Sequence, residues 1–253
     1  MRADKFFAEK FGSRTKAQSA LQRGLVLRGG VPVSPKDEVT GAESFEFLAE
    51  KPRFVSEGGY KLERGLDAFG ENVRGQIFAD LGASTGGFTD CLLQRGADRV
   101  YCVDVGKSLL DASLLPSGKV VVMDETNARY LTADDFPEKL DGVVSDLSFI
   151  SLRLVLPAIE AILPEKGRAI VLFKPQFECG GKGLGKSGIC PTRLHGELLA
   201  PFYDFALALG LSPQDIVNAP LRPKKNIEYI LRLEKNGDAL AKDAFLARAS
   251  KIY

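Results

Sequence analysis

Residues 78–90 read "FADLGASTGGFTD", and this stretch decides the fold. An apolar strand runs into a cluster of small residues, and a helix opens at about Gly87. Backbone amides at such a junction can approach a ligand closely, because small residues leave the helix start uncovered. The glycine pattern is G-x-x-x-G-G, and Ser84 stands where the G-x-G-x-x-G of a dinucleotide fold places glycine. A pyrophosphate cradle is therefore poorly supported, and a strand-to-helix turn that merely packs is the plainer alternative. Two acids favour a different ligand. Asp80 precedes the loop and Asp104 closes the next strand, where a carboxylate can take both hydroxyls of a ribose. An acid at the loop also suits a cationic ligand, as the sulfonium and amino group of S-adenosylmethionine are.

Outward from this stretch, short apolar strands alternate with amphipathic helices. Helical "KLERGLDAFG" (61–70) leads to a strand at 76–80, a helix at 87–95 and strands "RVYCVDV" (99–105), "KVVVMD" (119–124) and "LDGVVSD" (140–146). A helix "SLRLVLPAIEAIL" (151–163), a strand "RAIVLF" (168–173), a helix at 193–209 and a strand "NIEYILRL" (226–233) follow. The rhythm specifies an α/β fold of Rossmann-like kind, with a mostly parallel sheet and helices on both faces. Ligands in such sheets bind beyond the carboxyl ends of the strands.

The first forty residues differ. "DKFFAEKFG" spaces Phe6, Phe7 and Phe11 helically, Ser13 can cap a second helix, and "LVLRGGVPV" (25–33) alternates around a Gly-Gly turn as a hairpin does. Residues 40–57 read as an acidic linker, which gives a small α+β module and linker over 1–55 and a second domain over 56–253. The tail "DALAKDAFLARASKIY" (238–253) reads as a solvent-facing amphipathic helix. Residues 1–30 carry Arg2, Lys5, Lys10, Arg14, Lys16, Arg23 and Arg28 against Asp4 and Glu9, a net +5 that leaves −4 for the rest of a chain of net +1. A cationic head on a mildly acidic body is the asymmetry of a polyanion-binding attachment.

Four cysteines (Cys91, Cys102, Cys179, Cys190) without C-x-x-C spacing, beside a single histidine, His195, read as reduced structural thiols and supply no metal site. The polar start "MRADKFFAEKFGSR" and the absence of an apolar run of about eighteen residues point to a cytoplasmic protein with no membrane partner. Residues 180–187, "GGKGLGKS", match the expression for a triphosphate loop, yet Gly188 and Pro191 oppose the helix that such a loop needs. Lys182 and Lys186 are better used in a cationic loop over a substrate or cofactor.

Asp146 ends "GVVSD", Lys174 follows "AIVLF", Glu228 lies in "NIEYIL" and Lys61 closes "GGYK". Two lysines and two acids meeting at one sheet edge would form a proton-handling group without histidine. Ribose hydroxyls ionise far above neutrality, so a base needs help: a lysine held neutral by desolvation or by a cationic neighbour can supply it, while carboxylates orient it.

These residues carry a resemblance. "RADKFFAEKFGSRTKAQSALQRGLVLRGGVPV" resembles an S-four-type ribosomal RNA-binding domain. "FVSEGGYKLERGLDAFG", "DLGASTGGFTDCLLQRGA", "VYCVDVG", "TNAR", "DLSFISL", "LFKPQFE" and "NIEYIL" resemble the TlyA family, called hemolysin A in older naming, across roughly residues 2–234. The resemblance implies S-adenosylmethionine-dependent 2'-O-methylation of cytidine ribose in ribosomal RNA, with ribosomal RNA or ribosomal subunits as partners. It also implies an FtsJ-like tetrad of Lys61, Asp146, Lys174 and Glu228, with Lys174 as general base and Asp146 orienting it. The cofactor would meet Asp80, Gly82, Ser84, Gly86, Gly87 and Phe88, with Asp104 on its ribose and Asp124 and Asn127 near adenine. RNA would meet Arg2, Lys5, Arg14, Lys16, Arg23, Arg28, Lys182 and Lys186. After Asp104 this chain reads "GKSLLDASL" where the family carries an aromatic-rich run, and Glu57 replaces an arginine before "GGYK".

Rival readings are a non-catalytic ribosome-binding or assembly factor and a membrane-active hemolysin; the second lacks an apolar span. A carbon-five cytosine methyltransferase needs a cysteine nucleophile where this chain has "SDLSF", and methylation of base amino groups needs Asn/Asp-Pro-Pro-Tyr there.

Overall fold

A computed structural model of the chain describes residues 1–22, 24–48, 52–181, 184, 188–221 and 225–252, with the side chains of Lys16 and Ser19 excepted. Two compact units emerge, Met1–Arg53 and Phe54–Tyr253.

In the first unit, α1 (Ala3–Phe6) and α2 (Arg14–Gln22) precede β1 (Val26–Arg28), β2 (Val31–Pro32) and β3 (Glu46–Phe47). The hairpin forms as its sequence requires, with Leu27 opposite Pro32, and β3 pairs with the other edge of β1 in the order β2-β1-β3. The stretch 40–57 is thus not all linker. Two of its residues complete a sheet, because Phe45 and Phe47 stack edge-on against Phe7, at 4.9 and 5.6 Å between ring centroids. The first helix is shorter than its phenylalanine spacing suggests, stopping at Phe6 before a run of turns to Gly12. Ala3, Phe7, Ala17, Leu21, Val26, Val33 and Val39 make the small core.

In the second unit, α3 (Gly58–Phe69), β4 (Ile77–Leu81), α4 (Gly87–Gln94), β5 (Arg99–Val103), β6 (Val120–Met123) and β7 (Gly142–Ser145) come first. Then follow α5 (Leu156–Ile162), β8 (Arg168–Phe173), α6 (Pro175–Glu178), α7 (His195–Ala208), β9 (Leu211–Asn218), β10 (Tyr229–Lys235) and α8 (Lys242–Ser250). The seven strands lie in the order β6-β5-β4-β7-β8-β10-β9. β4 to β8 are parallel, and β10 runs antiparallel between β8 and β9.

Side chains alternate along these strands, so each one feeds both faces. Phe78, Val100, Val144 and Ile170 pack with Leu62, Leu66 and Leu92 on one face, while Ala79, Leu81, Tyr101, Val143 and Val171 pack with Ile159, Phe202 and Phe245 on the other. α3 approaches β10 closely because Gly65 has no side chain, and a Cβ there would sit 2.7 Å from Ile230 Cγ2. The chain leaves β4 toward β5 and β6 and later returns on the other side through β7 and β8. The crevice beyond β4 and β7 is therefore the switch point where ligands bind in such sheets.

The strand β9 escapes a sequence reading, since Pro213, Gln214 and Asp215 interrupt any apolar run. It is an edge strand, where proline is tolerated, and it is bulged at Gln214, which has no partner between the pairs Arg232–Asp215 and Leu233–Pro213. The tail is not solvent-facing either. Phe245 and Ala249 of α8, four residues apart, are buried in the main core.

Candidate active site

The loop 82–86 turns through three left-handed residues, Gly82 (φ 82°), Ser84 (φ 49°) and Gly86 (φ 91°). Serine is uncommon there, and its backbone is held by a hydrogen bond from Ser84 N to Asp104 Oδ2 at 2.8 Å. The turn ends at α4, whose close approach to the chain before α3 requires glycine, since a Cβ on Gly87 would lie 2.2 Å from Ser56 Oγ.

Two cavities flank this loop. One, of about 390 Å³, is lined by Ser56, Gly58, Lys61, Asp80 and Phe88 among others. The second, of about 540 Å³, runs along Asp104, Leu109, Asn127, Phe149 and Ile150. Gly82, Ser84, Asp146 and Ser148 line both. Of the residues expected at a cofactor, Asp80, Gly82, Ser84, Gly87, Phe88, Asp104 and Asn127 stand on these walls. Gly86 and Asp124 do not. Gly86 turns toward Leu110 and Leu114, and Asp124 accepts a hydrogen bond from Ser108 N at 2.8 Å, which ties down the loop after β5.

Asp80 is fully buried, and its Oδ1 has no partner while it helps to line the first cavity. Burial pushes its carboxyl up to about 7; Asp146 and Asp104 add to the rise, and the hydrogen bonds from Thr89 oppose it. An orphaned, reluctant carboxylate on a cavity wall fits a cationic group. The second cavity supplies apolar surface from Val103, Val105, Leu109, Leu147 and Ile150 beside Asp104 and Asn127, which suits an adenosine. The donor set thus fits S-adenosylmethionine.

The four residues expected to handle the proton converge. Lys61, from the first turn of α3, reaches Glu228 Oε2 at 2.7 Å and Asp146 Oδ2 at 3.3 Å. Lys174, directly after β8, reaches Asp146 Oδ1 at 2.6 Å. The order is Lys174, Asp146, Lys61, Glu228, with each cation against a carboxylate. For Lys61, burial works against the charge, but the charges and hydrogen bonds of Asp146 and Glu228 outweigh it and hold the ammonium above the usual lysine value. Lys174 is 5% exposed and lines neither cavity.

Three side chains that the sequence did not single out complete the group. Lys174 Nζ donates to Ser148 Oγ at 2.9 Å, and Gln176 Nε2 donates to Glu228 Oε1 at 3.4 Å. Glu178 anchors the loop after β7 by accepting from Ser151 Oγ and Leu152 N, both at 2.7 Å. Their only sequence signal is proximity to Asp146 and Lys174 in "DLSFIS" and "KPQFE".

The basic residues of the first unit are partly engaged. Arg2 and Arg14 bind the buried Asp4, at 3.0 and 3.1 Å, and hold its carboxyl below the usual range. Arg28 pairs with Glu43 at 3.1 Å, and Lys5 is exposed. Arg23, Lys182, Lys186 and the side chain of Lys16 lie outside the described residues. Among the described residues no cluster of three or more His, Cys, Asp or Glu could hold a metal ion, and no helix is long and apolar enough to cross a membrane.

Comparison with known proteins gives the family. Residues 54–235 match the family model described as FtsJ-like methyltransferase. The 16S/23S rRNA (cytidine-2'-O)-methyltransferase TlyA of Mycobacterium tuberculosis is 38% identical over 230 residues, covering 89% of this chain and 86% of that one. Hemolysin A of Brachyspira hyodysenteriae is 35% identical over 222 residues, covering 86% of this chain and 92% of that one. A solved structure from Streptococcus thermophilus superposes with a TM-score of 0.73 at 35% identity, covering 99% of this chain and 96% of that one. This chain belongs to the FtsJ-like methyltransferase family, with S-adenosylmethionine as its methyl donor.

Proposed function

We propose that the protein methylates the 2'-hydroxyl of cytidine ribose in ribosomal RNA. The observation that carries the reading is the alternating line Lys174, Asp146, Lys61, Glu228 beside a cavity fitted to a sulfonium and an adenosine. The cytidine and the ribosomal target come from the name of the mycobacterial relative.

When bound, S-adenosylmethionine supplies a methyl group activated by positive sulfur. Asp80, Gly82, Ser84, Gly87 and Phe88 would hold its charged end, and Asp104 and Asn127 its nucleoside. Lys174 is the general base that ends with the proton of the 2'-hydroxyl. Asp146 fixes the amine of Lys174, and Lys61 keeps the carboxylates of Asp146 and Glu228 from repelling one another. Positioning of this kind accounts for most of the rate in a displacement that needs little other chemistry. The first unit, as an RNA-binding module, supplies affinity for the phosphate backbone.

Ribose-methylation mapping of ribosomal RNA from cells carrying the wild-type protein or Lys174→Ala tests the reading. The mark is expected with the wild type and absent with the variant. A mark of equal strength in both would reject the assignment of the base, and no mark in either would leave a binding factor.

A further inference from the structure

Lys174 is assigned the base, yet the residue is 5% exposed and lines neither cavity, and its amine touches two residues that line both, Asp146 and Ser148. Both oxygens of Asp146 are committed to cations, Oδ1 to Lys174 and Oδ2 to Lys61. Ser148 is not so committed. Its hydroxyl receives the Lys174 N–H at 2.9 Å while the residue lines both cavities. A hydroxyl that accepts one hydrogen bond keeps a second lone pair and its own proton.

The loop bearing Ser148 is held in an unfavourable shape. Phe149 has φ 63°, a left-handed conformation that a bulky aromatic rarely adopts, and it stands 91% exposed at the edge of the second cavity with its ring 5.2 Å from that of Phe177. Glu178 clamps the far end of the loop through Ser151 and Leu152. The strained turn leaves Phe149 at the cavity's exposed edge and holds Ser148 on the wall, against the amine.

We propose that Ser148 relays the proton from substrate to Lys174, an inference that rests on the ribose methylation proposed above. In the neutral amine the lone pair of Nζ accepts from the Ser148 O–H; the same 2.9 Å separation serves either direction of donation. As the 2'-oxygen forms its bond to the methyl carbon, its proton passes to Ser148 Oγ. The Ser148 proton passes to Nζ in the same event. Serine ends as it began, Lys174 gains one proton and the substrate loses one. Asp146 binds Lys174 at 2.6 Å, and Lys61 lies on its other oxygen at 3.3 Å.

The test uses the full-length protein, a ribosomal RNA fragment bearing the mapped target and S-adenosylmethionine labelled in its methyl, under single turnover. Ser148→Ala is expected to slow transfer by about a hundredfold, the lower range for a positioned proton transfer. Ser148→Thr, which restores a hydroxyl, should stay within about tenfold of wild type, and cofactor affinity should be equal in all three. In mixtures of light and heavy water the wild-type rate should follow a bowed curve, because two protons move together. A straight line for wild type means one proton and overturns the relay, even if Ser148→Ala is slow. Transfer by Ser148→Ala within about threefold of wild type overturns it too. If Lys174→Ala is dead while Ser148→Ala is active, only the relay fails; if Lys174→Ala is active, the underlying assignment of the base fails.

Discussion

Thr89 gives both its backbone N–H and its hydroxyl to one oxygen of Asp80, Oδ2, at 3.0 and 2.7 Å, and Oδ1 is left buried without a partner. One half of the carboxylate thus anchors the start of α4, and the other faces the cavity. Because burial raises the carboxyl to about 7, the folded chain holds a proton that the unfolded chain releases near 3.8. This group therefore favours the ligand-free fold most below pH 3.8, and its contribution fades as pH rises toward 7. A cationic ligand needs the ionised form, so its affinity runs the other way.

Binding of S-adenosylmethionine is accordingly expected to weaken between pH 8 and pH 6, by at most about tenfold per unit below 7, and to release a fraction of a proton at pH 7. Calorimetry at pH 7 in two buffers of different ionisation enthalpy measures that fraction directly. Asp80→Asn should bind more weakly and lose the pH dependence. Equal binding enthalpies in the two buffers would remove Asp80 from the cofactor's charge balance.

Lys61 and Glu228 are coupled through a 2.7 Å ion pair, and both act on Asp146 rather than on an independent part of the reaction. Lys61→Met and Glu228→Gln are each expected to slow single-turnover transfer, Lys61→Met by about a hundredfold. The double variant should lose little more than the worse single one, as residues of one network do. Losses that multiply across the double variant would mean that the two serve separate steps.

Much of the second unit is legible in its sequence because the strands are buried on both faces and read as apolar runs, and Asp146, Lys174 and Glu228 follow or flank such runs, while Lys61 lies in the helix before the sheet. The exceptions share a cause. Pro213 hides β9, since only the third dimension shows that its strand is an edge. Phe245 and Ala249 look like one stripe of a surface helix until a sheet face is found beneath them. The pairing of Arg2 and Arg14 with Asp4 is hidden as well, because nothing local shows that Asp4, ten residues from Arg14, is buried between them. Ser148, Gln176 and Glu178 belong to the same class: their partners lie 26, 52 and 26 residues away, and only folding selects them.

At the other end of β8 from Lys174, Glu71 binds Arg168 at 2.7 Å and Arg232 at 2.5 Å with its side chain only 8% exposed. Replacing it by alanine leaves two partly buried guanidinium groups facing each other. The cost expected is about 3 kcal/mol, the lower range for breaking a buried ion pair from one side. For a domain of this size that is a fall in Tm of roughly 6–12 °C, read by calorimetry. Transfer at 25 °C should stay near wild type, because the site lies beyond the opposite ends of the parallel strands. An unchanged Tm would mean that water replaces the carboxylate fully.

In the first unit the cations divide into two kinds, and RNA binding should separate them. Lys5 is exposed, whereas Arg14 holds the buried Asp4 at 3.1 Å. Lys5→Ala is expected to weaken binding of a ribosomal RNA fragment to the full-length chain and to reduce the slope of log affinity against log salt by about 0.7–0.9, one phosphate contact. Cofactor affinity should not change. Arg14→Ala should instead lower thermal stability, since it takes one of two cations from a buried carboxylate. Titration at three salt concentrations distinguishes the two. If Lys5→Ala keeps the wild-type slope while Arg14→Ala loses a contact's worth, Arg14 reaches the phosphate backbone and its pairing with Asp4 gives way when RNA binds.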